Sequence, residues 1–520
     1  MESLMQNHPV ALCGVCILSL LLGVGLAEAA QPIQVVSAVL PGSHAQESGN
    51  GDSFGPILSP DGRYVLFASM ANNLTTVSNG TAMSSPLKVN VFLRDRVART
   101  TTLVSANSEG RGGNGGSFPL DLSADGRCVV FQSNANDLTP GDTNRSDDIF
   151  LRDVVSGTNC AVSIGADGVA ANGASRSASI TPDGRWVAFA SAASNLVPGD
   201  TNNIVDVFVR DMVSGSNILV SAGAISAGSV LKYTRSSSES PAISADGRYV
   251  AFFSTATNVI PGVQTVADIY VRDLATGAAW CASAGAREAL QAVLGTNSGV
   301  CYNHALSADG QFVAYEVSRA PGAGDASPGL ILRFSLSTGQ TDIIHTNAYV
   351  PPVPYEDIHN LDLTPDGRFV AFVANTNGTS GKTTCAYVWD AQAAASVLVS
   401  GNLSNDVPVE SMCDRPVISA DGRFVVFLSS STNLVTNSLA GDFHVYCRDL
   451  VQGSTVLLDA DSDGVGSPIN PETALALSAD GRIAAFECAE VRLVASNREM
   501  RSNVIIRDAL TGDCEVASAA

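Results

Sequence analysis

Between Ala178 and Ser221 the chain switches repeatedly between apolar runs and short polar breaks. Ala178-Ser-Ile180 leads into Pro182-Asp183-Gly184, and Arg185-Trp-Val-Ala-Phe-Ala190 alternates like a strand and is rich in strand formers. A long polar stretch follows, Asn195-Leu-Val-Pro-Gly-Asp-Thr-Asn202. Then come Asp206-Val-Phe-Val-Arg-Asp211, a tight break at Ser214-Gly215, and Asn217-Ile-Leu-Val-Ser221. The pattern predicts four short antiparallel strands, a to d. Asp-Gly between apolar runs is a strong hairpin signal, because Gly accepts the left-handed backbone that the tight turn demands. A Ser or Thr two residues before the Asp is placed to bond the turn locally. No segment after residue 29 shows helical periodicity, so no helix is expected.

The unit recurs along the chain. Ser59-Pro-Asp-Gly-Arg-Tyr-Val-Leu-Phe67 returns as Ser123-Ala-Asp-Gly-Arg-Cys-Val-Val-Phe131, and the Asp-Gly pairs begin at Asp61, Asp125, Asp183, Asp246, Asp309, Asp366, Asp421 and Asp480. Units of roughly sixty residues fill residues 30–520, a period that indicates a repeat architecture. The expected fold is all-β, a single eight-bladed β-propeller of four antiparallel strands per blade, with strand a innermost. Its a–b and c–d connections are tight, whereas b–c and d–a are long, polar and variable. Binding residues concentrate on loops carried by a rigid scaffold, so the long-loop face is the expected working face.

The S-x-D-G-R-x-V-A-F element, followed by N-L-x-P-G-D-T-N and D-x-F-V-R-D, resembles the TolB-like, WD-like propeller repeat of bacterial exported proteins. The resemblance extends over residues 30–520. It implies the propeller fold and an exported protein, and it implies no one activity, because propellers host many. The N-terminal α/β domain of TolB itself finds no match in the sequence.

Ala11 to Ala27 is apolar and uncharged, and Ala27-Glu28-Ala29 places small residues at cleavage positions. Residues 1–29 therefore read as a secretory signal peptide, with a periplasmic or secreted destination. The rival is an uncleaved anchor, since Met1–Val10 carries no Lys or Arg; against it, the run is shorter than the ~20 residues of a spanning helix. Acidic residues number 50 against 29 basic, a net charge of −21. That balance argues against nucleic acid and anionic lipid as partners and favours a neutral or cationic protein or glycan. The expected function is a monomeric binding or interaction module. The alternative is an extracellular enzyme, a polysaccharide lyase or hydrolase, with residues of several blades meeting at the channel mouth.

Two recurring charges read as structure. Arg follows Asp-Gly at Arg63, Arg127, Arg185, Arg248, Arg368, Arg423 and Arg482, and Asp ends strand c at Asp95, Asp153, Asp211, Asp273, Asp390, Asp449 and Asp508. Antiparallel pairing of b with c brings these ends together, so an ion pair inside each blade is expected. Unit five has Gln311 for the Arg, and Phe334 after Arg333 where the Asp is expected.

Candidate chemistry is sparse. No catalytic residue is assigned and no cofactor is expected. Asp142, Asn144 and Asp148 in unit two, and Asp200, Asn202 and Asp206 in unit three, put oxygen groups close together, as calcium requires. The competing reading is an Asx-turn loop with solvated carboxylates; unit four replaces the pattern with Val263-Gln264, so a blade forms without it. Asp459, Asp461 and Asp463 imitate a calcium loop that ends in Asn470 instead of Glu, and an ordinary d–a loop is the competing reading. Gly378-Thr-Ser-Gly-Lys-Thr383 imitates a phosphate loop without its first glycine. Nine cysteines lie beyond the signal segment, without a C-x-x-C pair. Cys281–Cys301 and Cys385–Cys413 are the candidate interblade disulfides, against buried free thiols as the alternative.

Overall fold

The computed structural model describes residues 48–75, 88–165, 167–227, 236–263, 267–297, 299–319, 329–348, 361–375, 384–408, 411–489, 493 and 501–519. Eight blades of four antiparallel strands form a ring. Blade one comprises Ser53–Leu58, Tyr64–Ser69, Asn90–Asp95 and Thr100–Leu103, and blade eight Leu475–Leu477, Ile483–Cys488, Asn503–Asp508 and Cys514–Val516. The a strands of successive blades touch one another right round the ring, including the first and the eighth, so strand a is innermost. A pairing of Ala348 with Ala374 joins the sheets of blades five and six. A single bridge joins Ser48 to Ala519, just beyond the last strand of blade eight. The signal segment 1–29 lies outside the described residues.

The core sits between blades. Alternate residues of strand b face opposite neighbours: Val65 and Phe67 pack with Ile483 and Ala485 of blade eight, while Leu66 packs with Val129 and Phe131 of blade two. Each of the eight interfaces carries one such cluster. Hydrophobic burial therefore ties each blade to the next, as a repeat whose single unit cannot cover its own faces requires.

The Asp-Gly element is a structural part in every position. In unit one Ser59 Oγ donates to Asp61 Oδ1 at 2.6 Å, and the same carboxylate accepts the Arg63 N–H. Arg63 then reaches Asp95 at 2.7 Å. The other six predicted ion pairs form likewise, at 2.6–3.0 Å. The guanidinium also lies over the first ring of strand b, 4.8 Å from the Tyr64 centroid and 4.8 Å from that of Trp186. The residue between Ser and Asp carries a further bond. Ala124 N–H donates to Pro182 O, Ala245 to Ala308 O, Ala308 to Pro365 O, Ala420 to Ala479 O and Ala479 to Pro60 O, all at 2.8–2.9 Å. Units one, three and six have Pro60, Pro182 and Pro365 in that position, and proline has no N–H to give. The Ala479–Pro60 bond closes the ring from blade eight to blade one.

A second arginine, two residues after the aromatic position of strand c, links blades. Arg152 donates to Ala106 O, Arg210 to Ile164 O at 3.0 Å and Arg272 to Val220 O at 2.9 Å, each acceptor in the preceding blade. Arg94 does the same across the closing seam, reaching Glu515 of blade eight at 3.2 Å.

Three expectations are corrected. The segment Ala286–Leu294 is an α-helix; it buries Ala286, Ala289 and Leu290 and is too short for periodicity to declare itself. In blade five Phe312 pairs with Ser335, so Ser335 and not Phe334 stands where the Asp belongs. Arg333 fills the space left by the missing pair: it lies 4.5 Å over Phe312 and 4.7 Å over Trp389, and binds Asp342 at 2.7 Å. Finally, all nine described cysteines are free thiols, so neither proposed disulfide forms. Cys281 Sγ is 3.7 Å from Ser283 Oγ and Cys413 Sγ 3.4 Å from Ser429 Oγ, so these thiols face strand hydroxyls.

Candidate functional site

On the long-loop face a cavity of about 550 Å³ opens between blades three and four. Arg176, Asp200, Asn203, Ser236 and Glu239 are among the residues that line it. Arg176 and Glu239 are the second residues of strands Ser175–Ile180 and Ser238–Ile243, and they pair at 3.0 Å across the interface. Both strands shift register just beyond that point. The following residues, Ser177 and Ser240, sit at φ +51° and +52°. Asn303 and Arg415 repeat the conformation in blades five and seven. A left-handed non-glycine residue costs about 1–2 kcal/mol, so these bulges are held by the surrounding sheets. The cavity size suits a ligand site, and its lining is mostly polar.

Deeper in the ring lies Glu316, on strand Phe312–Arg319 of blade five and 1% exposed. Burial pushes its carboxyl up to about 8, with Asp414 of blade seven pushing the same way. Asn303 Nδ2 donates to Oε2 at 3.4 Å, whereas Oε1 is buried without a hydrogen bond. His304 is pushed down to about 4 by burial. Asp121 and Asp362, each raised to about 6 by burial, accept backbone N–H groups of the next blade, from Ile180 and Ile418.

The calcium candidates fall at one recurring place. The first residue of strand c is held by a serine two residues past strand d: Asn90 by Ser105 at 3.0 Å, Asp148 by Ser163 at 2.6 Å, Asp206 by Ser221 at 2.5 Å and Asp268 by Ser283 at 2.7 Å. In blade two Asn144 Nδ2 donates to Asp148 Oδ2 at 2.7 Å, and Asp142 lines the same small cavity as Asp148. In blade three Asn202 donates to Ala224 O and also lies beside Asp206, whose Oδ2 is buried without a hydrogen bond of good geometry. Blade seven reverses the pair: Asp459 on the d side is hydrogen-bonded to His444 Nδ1 at 2.7 Å, and both residues are buried. Asp461 closes a turn by accepting the Asp463 and Val465 N–H groups, and Asp463 is exposed. Among the described residues no group of three or more His, Cys, Asp or Glu is arranged for a metal ion. The phosphate-loop imitation, 378–383, lies outside the described residues.

Sequence reasoning passed over Arg176 and Glu239, whose partnership spans two units. It also passed over Asp268, although its register matches that of Asp148 and Asp206. On the Asp-Gly face, Val97, Val155, Val213, Val451 and Leu510 are exposed at one shared position of the c–d turn. Scattered apolar residues of this kind are ordinary on a protein surface. No helix among the described residues is long and apolar enough to cross a membrane.

No protein-family pattern matches the chain, and a search of curated proteins finds no relative. Solved structures do resemble it. Dipeptidyl peptidase 4 of Porphyromonas gingivalis is 13% identical with a TM-score of 0.53, over 90% of this chain and 59% of that one. TolB of Acinetobacter baumannii is 14% identical with a TM-score of 0.33, over 67% of this chain and 63% of TolB. Oligogalacturonate lyase of Vibrio parahaemolyticus is 13% identical with a TM-score of 0.41, over 74% and 87%. This chain thus spans less than two thirds of the length of TolB and of the peptidase, and what its likeness to the peptidase shows is the β-propeller fold alone.

Proposed function

We propose that the protein is an exported binding module that takes a polar or cationic segment of a protein partner into the cavity between blades three and four. The observation that carries this reading is the cavity itself, about 550 Å³ on the long-loop face, with two carboxylates, Asp200 and Glu239, against one arginine, Arg176. The net charge of −21 acts in the same direction by attracting cationic partners. The signal-peptide reading of residues 1–29 supports export.

A catalytic reading attaches to Glu316, which holds its proton at neutral pH and so has the character of a general acid. The residue is 1% exposed, which supports a structural place for that proton and so the binding reading. Assays of lyase and hydrolase activity on acidic and neutral polysaccharides test it directly; turnover that is lost in Glu316→Gln establishes the catalytic reading.

The binding test removes the charged pair as a unit, Arg176→Met with Glu239→Gln, so that no buried charge is stranded. Partner capture from envelope extract and binding to a glycan array are then measured, beside a control altered at Val155→Ser and Val213→Ser on the opposite face. Loss of protein capture in the first variant alone supports the proposal. Loss only in the control places the working face on the Asp-Gly side, and binding to the glycan array alone replaces the protein partner by a glycan.

A further inference from the structure

The only helix among the described residues, Ala286–Leu294, does one thing that no other blade copies. From it Arg287 reaches the first residue of blade four's strand c. Its Nη1 lies 2.9 Å from Asp268 Oδ1 and its Nη2 3.1 Å from Oδ2. Asp268 is fully buried, and the guanidinium with the Ser283 hydroxyl satisfies it. A positive charge is the expected companion of a carboxylate in that position, because an uncompensated buried charge is costly.

Blades two and three carry the same buried carboxylate, Asp148 and Asp206, held by the equivalent serine just past strand d. No arginine reaches either one among the described residues. What comes near, beside the amide of Asn144 or Asn202, is a second carboxylate, Asp142 in blade two and Asp200 in blade three, each raising its neighbour's hold on a proton. Two acids stand where blade four has an acid and a base. Asp206 is 0% exposed and its Oδ2 has no hydrogen-bond donor; Asp142 Oδ1 is likewise buried without one. In blade two a cavity of about 20 Å³ is lined by Asp142, Asp148 and Ser163 together with apolar residues such as Pro140, Phe150 and Ile164. A cavity of roughly 10–15 Å³ already holds one water-sized body.

We propose that the pairs Asp142–Asp148 and Asp200–Asp206 each bind a calcium ion, which performs in blades two and three the neutralising role of Arg287 in blade four. The side-chain oxygens at the two places are carboxylate, hydroxyl and amide, with no thiol or imidazole, which selects a hard cation over zinc or copper. Calcium fits better than magnesium, because loop oxygens of irregular spacing suit its flexible coordination and magnesium demands a near-ideal octahedron. With two carboxylates per site the binding is weak, in the ~10⁻⁴–10⁻³ M range of extracellular modules, and water completes the shell. Blades one and eight place Asn90 and Asn503 at this position, where there is no charge to balance.

The test does not depend on the identity of any protein partner. The full chain, stripped with a chelator, is titrated with calcium alone and with magnesium alone, and its melting temperature and calcium binding heat are followed. The expected result is a rise in melting temperature that saturates at roughly 0.1–1 mM calcium, with a smaller response to magnesium. Asp142→Asn with Asp200→Asn, both in loops, is expected to fold and to lose the rise; Asp142→Asn alone is expected to keep about half the binding heat. No response in the wild-type chain, an equal response to magnesium, or an undiminished response in the double variant would each overturn the proposal. The last two outcomes identify general screening of an acidic protein.

Discussion

Tyr64 of blade one occupies the place where a side chain on Gly126 of blade two would begin: a Cβ there would lie 2.4 Å from Tyr64 Cδ2. The relationship is renewed at other interfaces, with Gly247 against Trp186, Gly310 against Tyr249, Gly367 against Phe312 and Gly62 against Ile483. The glycine of each Asp-Gly turn thus does two jobs: it permits the left-handed turn in its own blade and lets the neighbouring blade come close.

These jobs separate experimentally. A methyl group on Gly199, at φ +85°, would meet no atom within 4 Å, whereas one on Gly126, at φ +68°, would meet the tyrosine ring. Gly199→Ala is expected to cost about 1–2 kcal/mol from backbone conformation alone. Gly126→Ala is expected to cost roughly 1–3 kcal/mol more from overpacking. Urea unfolding of the two variants checks the difference.

Arg333 should matter more than any of the repeated arginines. It is 8% exposed, stacks on two rings and bonds the Gly367 carbonyl. Arg333→Ala is expected to cost roughly 2–4 kcal/mol through the lost stacking and the stranded carbonyl. Arg127 has a 55% exposed side chain, pairs with Asp153 and is followed by Cys128 in place of an aromatic ring. Arg127→Ala is expected to leave the melting temperature unchanged, as exposed pairs do.

The bonds between turns predict an unusual tolerance of proline. Ala245→Pro removes the donor to Ala308 O but installs the residue that units one, three and six already use there. The lost bond is expected to cost about 1 kcal/mol, partly offset by the stiffer unfolded chain. A loss above roughly 3 kcal/mol, the scale of proline in a regular helix interior, would show that the turn backbones differ between units.

Stability should peak on the acid side of neutrality. Asp153, Asp211, Asp273 and Asp390 are drawn down to about 2, chiefly by their arginine partners. Their contribution is complete above the ordinary carboxylate value and is lost as pH falls from about 4 to about 2. Glu316 has the opposite sign: the native state holds its proton up to about 8 while the unfolded chain releases it near 4.5, so stability falls as pH rises between those values. Asp121 and Asp362 add to that fall up to about 6, while His304, drawn down to about 4, opposes it up to its ordinary value near 6.5. Denaturant unfolding across pH should therefore show a maximum near pH ~4–5, and Glu316→Gln should flatten the alkaline side by one proton. An unchanged slope in that variant would reassign the proton.

What the sequence made legible follows from repetition. Thr181-Pro-Asp183-Gly184-Arg185 shows its purpose because its members act within a few residues or across one hairpin, and the element returns in every unit, with Gln311 for the arginine in unit five. The oxygen clusters of blades two and three were legible for the same local reason. Arg333 was not, because its function depends on a one-residue change of register and on Trp389 in the next blade. Arg176 with Glu239 was missed because the pair joins segments whose proximity only the ring creates. Arg287 with Asp268 was missed because a helix carries the arginine back to its own blade. That helix is nine residues long and offers little over two turns of period.

The Ala479–Pro60 bond and the Arg94–Glu515 pair have a consequence for how the ring survives thermal opening. Among the described residues each blade is a contiguous stretch of chain, so beyond the lone Ser48–Ala519 bridge no strand is borrowed to lock the first blade to the eighth. That seam joins residues far apart in the chain, as Gly55 and Glu487, 432 positions apart, are joined. Loop entropy grows only logarithmically, so closing it costs roughly 2 kcal/mol more than joining neighbours about sixty residues apart. The same kinds of contact that hold the other seven seams thus hold this one with a small handicap. The ring is in effect a bracelet whose clasp is one more link, and a chain cut and rejoined between any two blades would keep every sheet whole.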